Sequence, residues 1–168
     1  MGNIIDPNFS FCGSFSIGHH CIIEKNVKVG SDVTLKNRVE LRKNTRIGDN
    51  CYLDSGVISS GECVIGDRVT IRYNSIIAKG TRIRDDVFIS PQFMTENLNS
   101  RGESIGGALI GKGIWTRKNT FRVFIGTNVT LAAGITICPD VIIGSKANVR
   151  KSITEPGVYV GNPARRIR

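Results

Sequence analysis

The chain has 168 residues, of which 40% are hydrophobic, 22% charged and only 7% aromatic, with 19 glycines. That length and apolar fraction suit one domain with a buried core, and no apolar run approaches the ~18 residues of a membrane-spanning helix. The net charge of +9 is unevenly placed. Residues 1–104 carry 13 Lys/Arg against 12 Asp/Glu, and residues 105–168 carry 10 against 2. A polyanionic partner is expected for the C-terminal part, either nucleic acid or a phosphorylated cofactor. The sequence contains no helix-turn-helix, RNA-recognition or basic-zipper pattern, so nucleic acid is not expected.

The N-terminus lacks the charged-then-apolar layout of a secretory signal, and Asp6 stands where a myristoylation signal needs Ser or Thr. A soluble cytoplasmic protein is the expectation. Five cysteines without paired spacing argue against a disulfide framework. The two histidines, His19 and His20, are adjacent, which makes a zinc finger or a three-histidine metal site hard to build. No metal is expected.

Chain order reveals a six-residue period. Stepping by six from Ile17 gives Ile23, Val29, Leu35, Leu41, Ile47, Leu53, Ser59, Ile65, Ile71, Ile77, Ile83 and Ile89. Ser59 alone is not aliphatic. After a gap the series resumes as Ile125, Leu131, Ile137, Ile143 and Val149. Two residues earlier lies a second, small or β-branched slot, held for example by Val27, Val33, Val57 and Val129, and by Cys21, Cys51 and Cys63. Those cysteines are expected to be reduced core filler. Alternate residues on a short strand face the same way, so the two slots describe strands with one inward face. Just before the small slot the residue is most often Asn, Asp or Gly, as at Asn26, Asp32, Asn44, Asn50, Gly56 and Gly80. These are the types that tolerate positive φ. A corner every six residues builds a triangular prism of 18-residue coils stacked as parallel strands, all-β in class. A helical stripe of period 3.6 does not fit. Lys36, Asp54 and Arg72 should stack as a charge ladder, and Phe9, Phe11 and Phe15 should plug the first coil. We expect a single domain over 1–168, with coils at about 9–92 and 123–152, a protruding loop at about 93–122 and a tail at 153–168.

The pattern resembles the hexapeptide-repeat, left-handed β-helix acyltransferases, among them galactoside, maltose, serine, xenobiotic and other sugar acetyltransferases. The resemblance covers roughly residues 9–168. Val123-Phe124-Ile125-Gly126-Thr127-Asn128-Val129-Thr130-Leu131 is similar to that family's Val-Trp-Ile-Gly-x-Asn-Val-x-Ile block. The ending VYVGNPARRIR is similar to its Gly-Asn-Pro-Ala-Lys/Arg tail. The resemblance implies a homotrimer with acetyl-CoA as co-substrate in clefts between subunits. It also implies acyl transfer to a hydroxyl or amine of a sugar or polysaccharide precursor. By position it implies that Gly126, Thr127 and Ser145 meet the pantetheine arm, and that Arg150, Lys151 and Arg165 meet the cofactor phosphates. Trp115 is expected either to anchor an interface or to stack on the adenine. A carbonic-anhydrase relative of the same fold needs three histidines and does not fit.

In that family the interrupting loop carries a histidine that deprotonates the acceptor. Here the corresponding stretch reads Asn97-Leu98-Asn99-Ser100, and none of these is a base near neutral pH. His19 is 72 residues, or four coils, before Pro91, which places it ~19 Å below the expected root of the loop. Glu96, beside Asn97, is the better substitute base, with Glu103 the other carboxylate of the loop. Two further accounts stay open: transfer by positioning alone, and a binding or scaffold protein without transfer chemistry.

Overall fold

The computed structural model describes residues 2–113 and 121–168. It is all-β: 24 short strands and no helix among the described residues. The strands fall into three parallel sheets, the faces of a left-handed, triangular β-solenoid. The first face holds eight strands, from Ile4–Ile5 to Asn148–Val149. The second holds seven, from Ser10–Phe11 to Thr136–Ile137. The third holds nine, beginning at Phe15–Ile17 and ending with Gly157–Val160 and Arg165–Arg166. Paired strands lie one coil apart along the chain, as in Ile22 with Glu40 or Val64 with Arg82. The coils begin earlier than the aliphatic series suggested, because Ile4–Ile5 already pairs with Ile22–Ile23.

The inward series forms the core. Apart from the half-buried Ile17, every position in it is at most 4% exposed. One coil cannot bury this face alone, so the core exists only through stacking. The polar exception is satisfied internally. Ser59 Oγ lies 2.7 Å from Thr45 Oγ1, and two coils further Thr81 Oγ1 lies 3.1 Å from Thr95 Oγ1, all four residues buried. Cys21, Cys51 and Cys63 are free and buried in the small slot as expected. In the same kind of slot Phe93 is 1% exposed, and the residue one coil before it is the small, buried Ser75. A large side chain is thus seated over a small one, which keeps the interior filled. Of the expected charge ladder, Arg72 Nε closes on the buried Asp54 at 3.2 Å, while Lys36 stays exposed.

Corners explain the rest of the period. Nearly every residue immediately before a small slot has positive φ. They include His20, Arg38, Glu62, Arg68 and Lys146, whose side chains give no such signal. Each corner is also tied to its successor. The amide of His19 donates to Asn37 Oδ1 at 2.9 Å, that of Ser31 to Asp49 at 2.7 Å, and that of Asp49 to Asp67 at 2.9 Å.

The expected interruption is built as two excursions from one coil. Ile83 pairs with Ile110 and Ile110 with Ile137, so each step consumes a coil and a half of chain instead of one coil. The strands Met94–Thr95 and Leu109–Ile110 keep that coil in the stack. The first excursion, residues 96–108, leaves the edge between the first and second faces. The second begins after Ile110 and rejoins the stack at Val123, between the second and third faces. Ile114 and Trp115 lie outside the described residues. At the start of the prism Phe9, Phe11 and Phe15 cluster with ring centroids 5.2–5.7 Å apart. Phe9 and Phe15 pack on the core, whereas Phe11 stays 53% exposed.

Candidate functional site

At the opposite end the chain folds over its own last coil. Ile153 bridges to Ile137 on the second face, and Gly157–Val160 adds to the third. Ala164 then donates its amide to Asn148 at the end of the first face, and Arg165–Arg166 returns antiparallel beside Tyr159 and Val160. The Asn162–Pro163 peptide is cis. Beneath this tail lies a cavity of about 400 Å³ lined by Val149, Ile153, Tyr159 and Ala164, with Arg150, Lys151, Arg165 and Arg166 around it. Burial pushes the Tyr159 phenol up from its ordinary value, which keeps it a neutral donor, and its Oη donates to Glu155 O at 2.8 Å. Apolar walls with converging cations are the makings of an anion-bearing ligand site. A larger cavity, about 500 Å³, lies at the N-terminal end and is lined chiefly by Ile4, Ile5, Ile22 and Ile23. Of its two carboxylates, Glu24 is held by Arg42 and the Lys43 amide, and Asp6 accepts the Asn8 amide.

The six residues expected to meet a cofactor separate into two groups. Arg150 and Lys151 follow the strand Asn148–Val149, on the edge between the first and second faces. With Arg165 they share the C-terminal cavity. Gly126, Thr127 and Ser145 lie on the edge between the third and first faces, stacked directly: the Thr127 amide donates to Ser145 Oγ at 3.2 Å. A Cβ on Gly126 would stand 2.6 Å from the Ser145 nitrogen, so glycine is what lets these corners close. Within one chain, then, the two groups occupy different edges of the prism.

The expected base Glu96 and its neighbour Asn97, the two candidate catalytic residues, sit at the root of the first excursion. Glu96 follows Met94–Thr95, and its amide donates to Leu131 O at 2.9 Å. Asn97 is half-buried, and its carbonyl accepts the Ile105 amide at 2.9 Å. Beyond it Leu98 and Ser104 form an antiparallel bridge. Asn99 closes the tip, taking the amides of Arg101 and Glu103 on Oδ1 and donating to Glu103 Oε2 at 2.6 Å. Glu103 is therefore engaged in the turn. No sequence signal pointed to the partner of Glu96. Arg150 Nη1 lies 3.2 and 3.3 Å from its two carboxylate oxygens, across 54 residues of chain. His19 and His20 are exposed corner residues of an early coil, on a different edge from the excursion. Among the described residues no group of three His, Cys, Asp or Glu side chains is placed to hold a metal.

Comparison with known proteins agrees with this architecture. The family described as the GMPPB C-terminal domain matches residues 2–99, more than half of the chain. The chain belongs to that family. It is also similar to the bifunctional protein GlmU of Geotalea uraniireducens, at 31% identity over 127 residues, covering 76% of this chain and 26% of that one. GlmU of Thermodesulfovibrio yellowstonii is 27% identical over 168 residues, covering 94% and 37%. The chain thus spans about a quarter to two-fifths of the length of these relatives. Among solved structures, a UDP-N-acetylglucosamine acyltransferase from Campylobacter jejuni superposes with a TM-score of 0.74 at 21% identity, covering 97% of this chain and 71% of that one. The fold of this member of the GMPPB C-terminal domain family is therefore the hexapeptide-repeat, acyltransferase-like β-helix. What it shares with that neighbour is the stack of coils. No helix among the described residues is long and apolar enough to cross a membrane.

Proposed function

We propose that the chain is an acyl-CoA-dependent acyltransferase module that transfers an acyl group, acetyl in the first instance, to a hydroxyl or amine of a sugar-derived acceptor. The observation that carries this reading is the C-terminal cavity, where Arg150, Lys151, Arg165 and Arg166 converge on an apolar pocket. Coenzyme A combines several phosphate charges with an apolar arm and suits such a pocket. The relatives named as GlmU and the acyltransferase neighbour give the reading its chemical class. In this account Lys151 and the arginines hold phosphates, Gly126, Thr127 and Ser145 of a neighbouring copy receive the pantetheine arm, and Glu96 takes the acceptor proton. A homotrimer brings the two edges together. The outward column of the third face supports self-association: Phe88 and Phe124 stack at 5.3 Å, and Ile142 above them is 36% exposed. Parallel sheets ordinarily have both faces covered.

A second reading, a binding or scaffold subunit without transfer chemistry, draws on the first excursion. It has no histidine, Glu103 is held by Asn99, and Glu96 is held by Arg150. Titration calorimetry with acetyl-CoA at two salt concentrations separates the readings. Saturable binding near one per chain, weakened by salt because phosphate contacts are screened, is the expected result. Absence of binding up to millimolar acetyl-CoA rejects the transferase and leaves the scaffold.

A further inference from the structure

Glu96, Ala132 and Arg150 form one column on the edge between the first and second faces. The Glu96 amide donates to Leu131 O and the Ala132 amide to Val149 O, both at 2.9 Å, so each residue stands one coil above the last. Two rungs separate Glu96 from Arg150, about 9.6 Å of backbone rise. Arg150 spans that gap because the residue between them is alanine, buried at 8% exposure beneath the pair. The same Arg150 also borders the C-terminal cavity. One guanidinium thus has two possible anionic partners, a carboxylate below it and whatever anion enters the cavity beside it.

Both side chains of the pair are well solvated, 54% exposed for Arg150 and 37% for Glu96. Exposed ion pairs of this kind are worth about 0.2–1 kcal/mol. A phosphate group offers the guanidinium a bidentate, more highly charged partner. Arg166 repeats the arrangement more loosely, 3.5 Å from Glu155. Lys151 and Arg165 have no carboxylate partner among the described residues, so the cavity keeps a standing attraction for anions.

We propose that Glu96 and the phosphates of a ligand in the C-terminal cavity compete for Arg150, so that filling the cavity releases the Glu96 carboxylate. The inference rests on the reading of the cavity as a coenzyme A site and adds an order of events to it. Without cofactor, Glu96 is occupied by the guanidinium. With cofactor bound, Arg150 turns to phosphate and Glu96 is left free beside the excursion to accept a proton from the acceptor. By linkage, what the ligand does to the pair the pair does to the ligand.

The test is a double-mutant cycle read by binding, with coenzyme A and adenosine 3′,5′-bisphosphate as probes, on wild type, E96Q, R150Q and the double variant. Thermal melts confirm that all four are folded, and Glu96→Ala serves if the glutamine keeps a hydrogen bond to Arg150. The expected result is that E96Q binds both probes about 1.4- to fivefold more tightly than wild type, the range an exposed pair converts to. The gain should vanish in the R150Q background. Equal tightening with and without Arg150 would reduce the effect to a general loss of negative charge and overturn the proposal. Unchanged or weaker binding in E96Q overturns it too, while wild-type binding of coenzyme A leaves the transferase reading standing. Absence of coenzyme A binding in wild type removes both.

Discussion

A positive φ costs an ordinary L-residue about 1 kcal/mol or more, and glycine or asparagine less. Arg38, Glu62, Arg68 and Lys146 adopt it nonetheless, because a corner bonded to the coils above and below has no alternative path. Ion pairs between coils are a second contribution at this scale. Arg42 Nη1 donates to Glu24 at 2.8 Å, and that bond, with the Lys43 amide next in effect, holds the Glu24 carboxyl below its usual range. A carboxyl depressed in the folded state stabilises it above the unfolded value, and that share is lost as pH falls through the folded value. Glu24→Gln should therefore lower the urea midpoint at about pH 7, and the gap from wild type should close as acid protonates both states. A midpoint difference that stays constant across that range would contradict this. The cysteines make a sharper case. Burial pushes the Cys51 thiol up to about 11 and raises Cys63 as well, while Cys12 is exposed. A thiol-reactive dye at about pH 8 should label Cys12 at once, and Cys21, Cys51 and Cys63 only on unfolding, since the thiolate is the reactive form. Rapid labelling of the buried three in the folded protein would show that the coils open locally.

At the scale of the element, the coils were legible in the residues and the interruption was only half so. The inward series follows from strand alternation plus a corner every six residues, and its aliphatic members mark the core directly. The excursions were not separable by pattern, because Met94, Thr95, Leu109 and Ile110 keep too few repeats to show a period. Only the pairing of Ile83, Ile110 and Ile137 reveals that each excursion lengthens its step by half a coil. The same limit hid the meeting of Glu96 and Arg150. Counted straight through, the 54 residues between them make three coils on one column, and only with the extra chain removed do they become two rungs, close enough to meet. This arithmetic predicts a clean deletion. Removing residues 98–106 leaves Asn97 and Gly107 as the corner before the buried Ala108, restoring the ordinary step. Such a variant should keep its far-ultraviolet β spectrum and melt within about 5 °C of wild type, because surface loops contribute little beyond closure entropy. A molten product would show that the excursion braces the coil.

For the whole molecule, the solenoid separates its chemistry along an axis. Acidic and basic residues nearly balance over the early coils, 12 against 13 in residues 1–104, whereas the cations of the last coil and tail gather around one cavity. The charge asymmetry of the sequence reflects that gathering, since cations brought close in sequence stay close when every coil rises by one rung. Position along the axis was therefore readable in advance. Position around it follows from the same count: Arg150 lies 24 residues after Gly126, one coil and one further side, so Gly126, Thr127 and Ser145 stand on another edge from Arg150 and Lys151. Two copies side by side would reunite them. Sedimentation at micromolar concentration should accordingly give a species of three chains, and a monomer there would remove the inter-subunit cleft from the account.

A stack of parallel strands ends in rows of unspent amides and carbonyls, and such rows invite another copy to add on and another after it, until a filament grows. The return of Arg165–Arg166 beside Tyr159 and Val160 breaks that invitation on the third face, because an antiparallel strand offers the next molecule the wrong hydrogen-bond frame. Two arginines at that place add like-charge repulsion to the mismatch. Truncation after Val160 should therefore convert a discrete particle into a scatterer of light whose growth is end-on and seedable. The tail that roofs the basic cavity would then be, in the same stroke, the stop signal of a polymer.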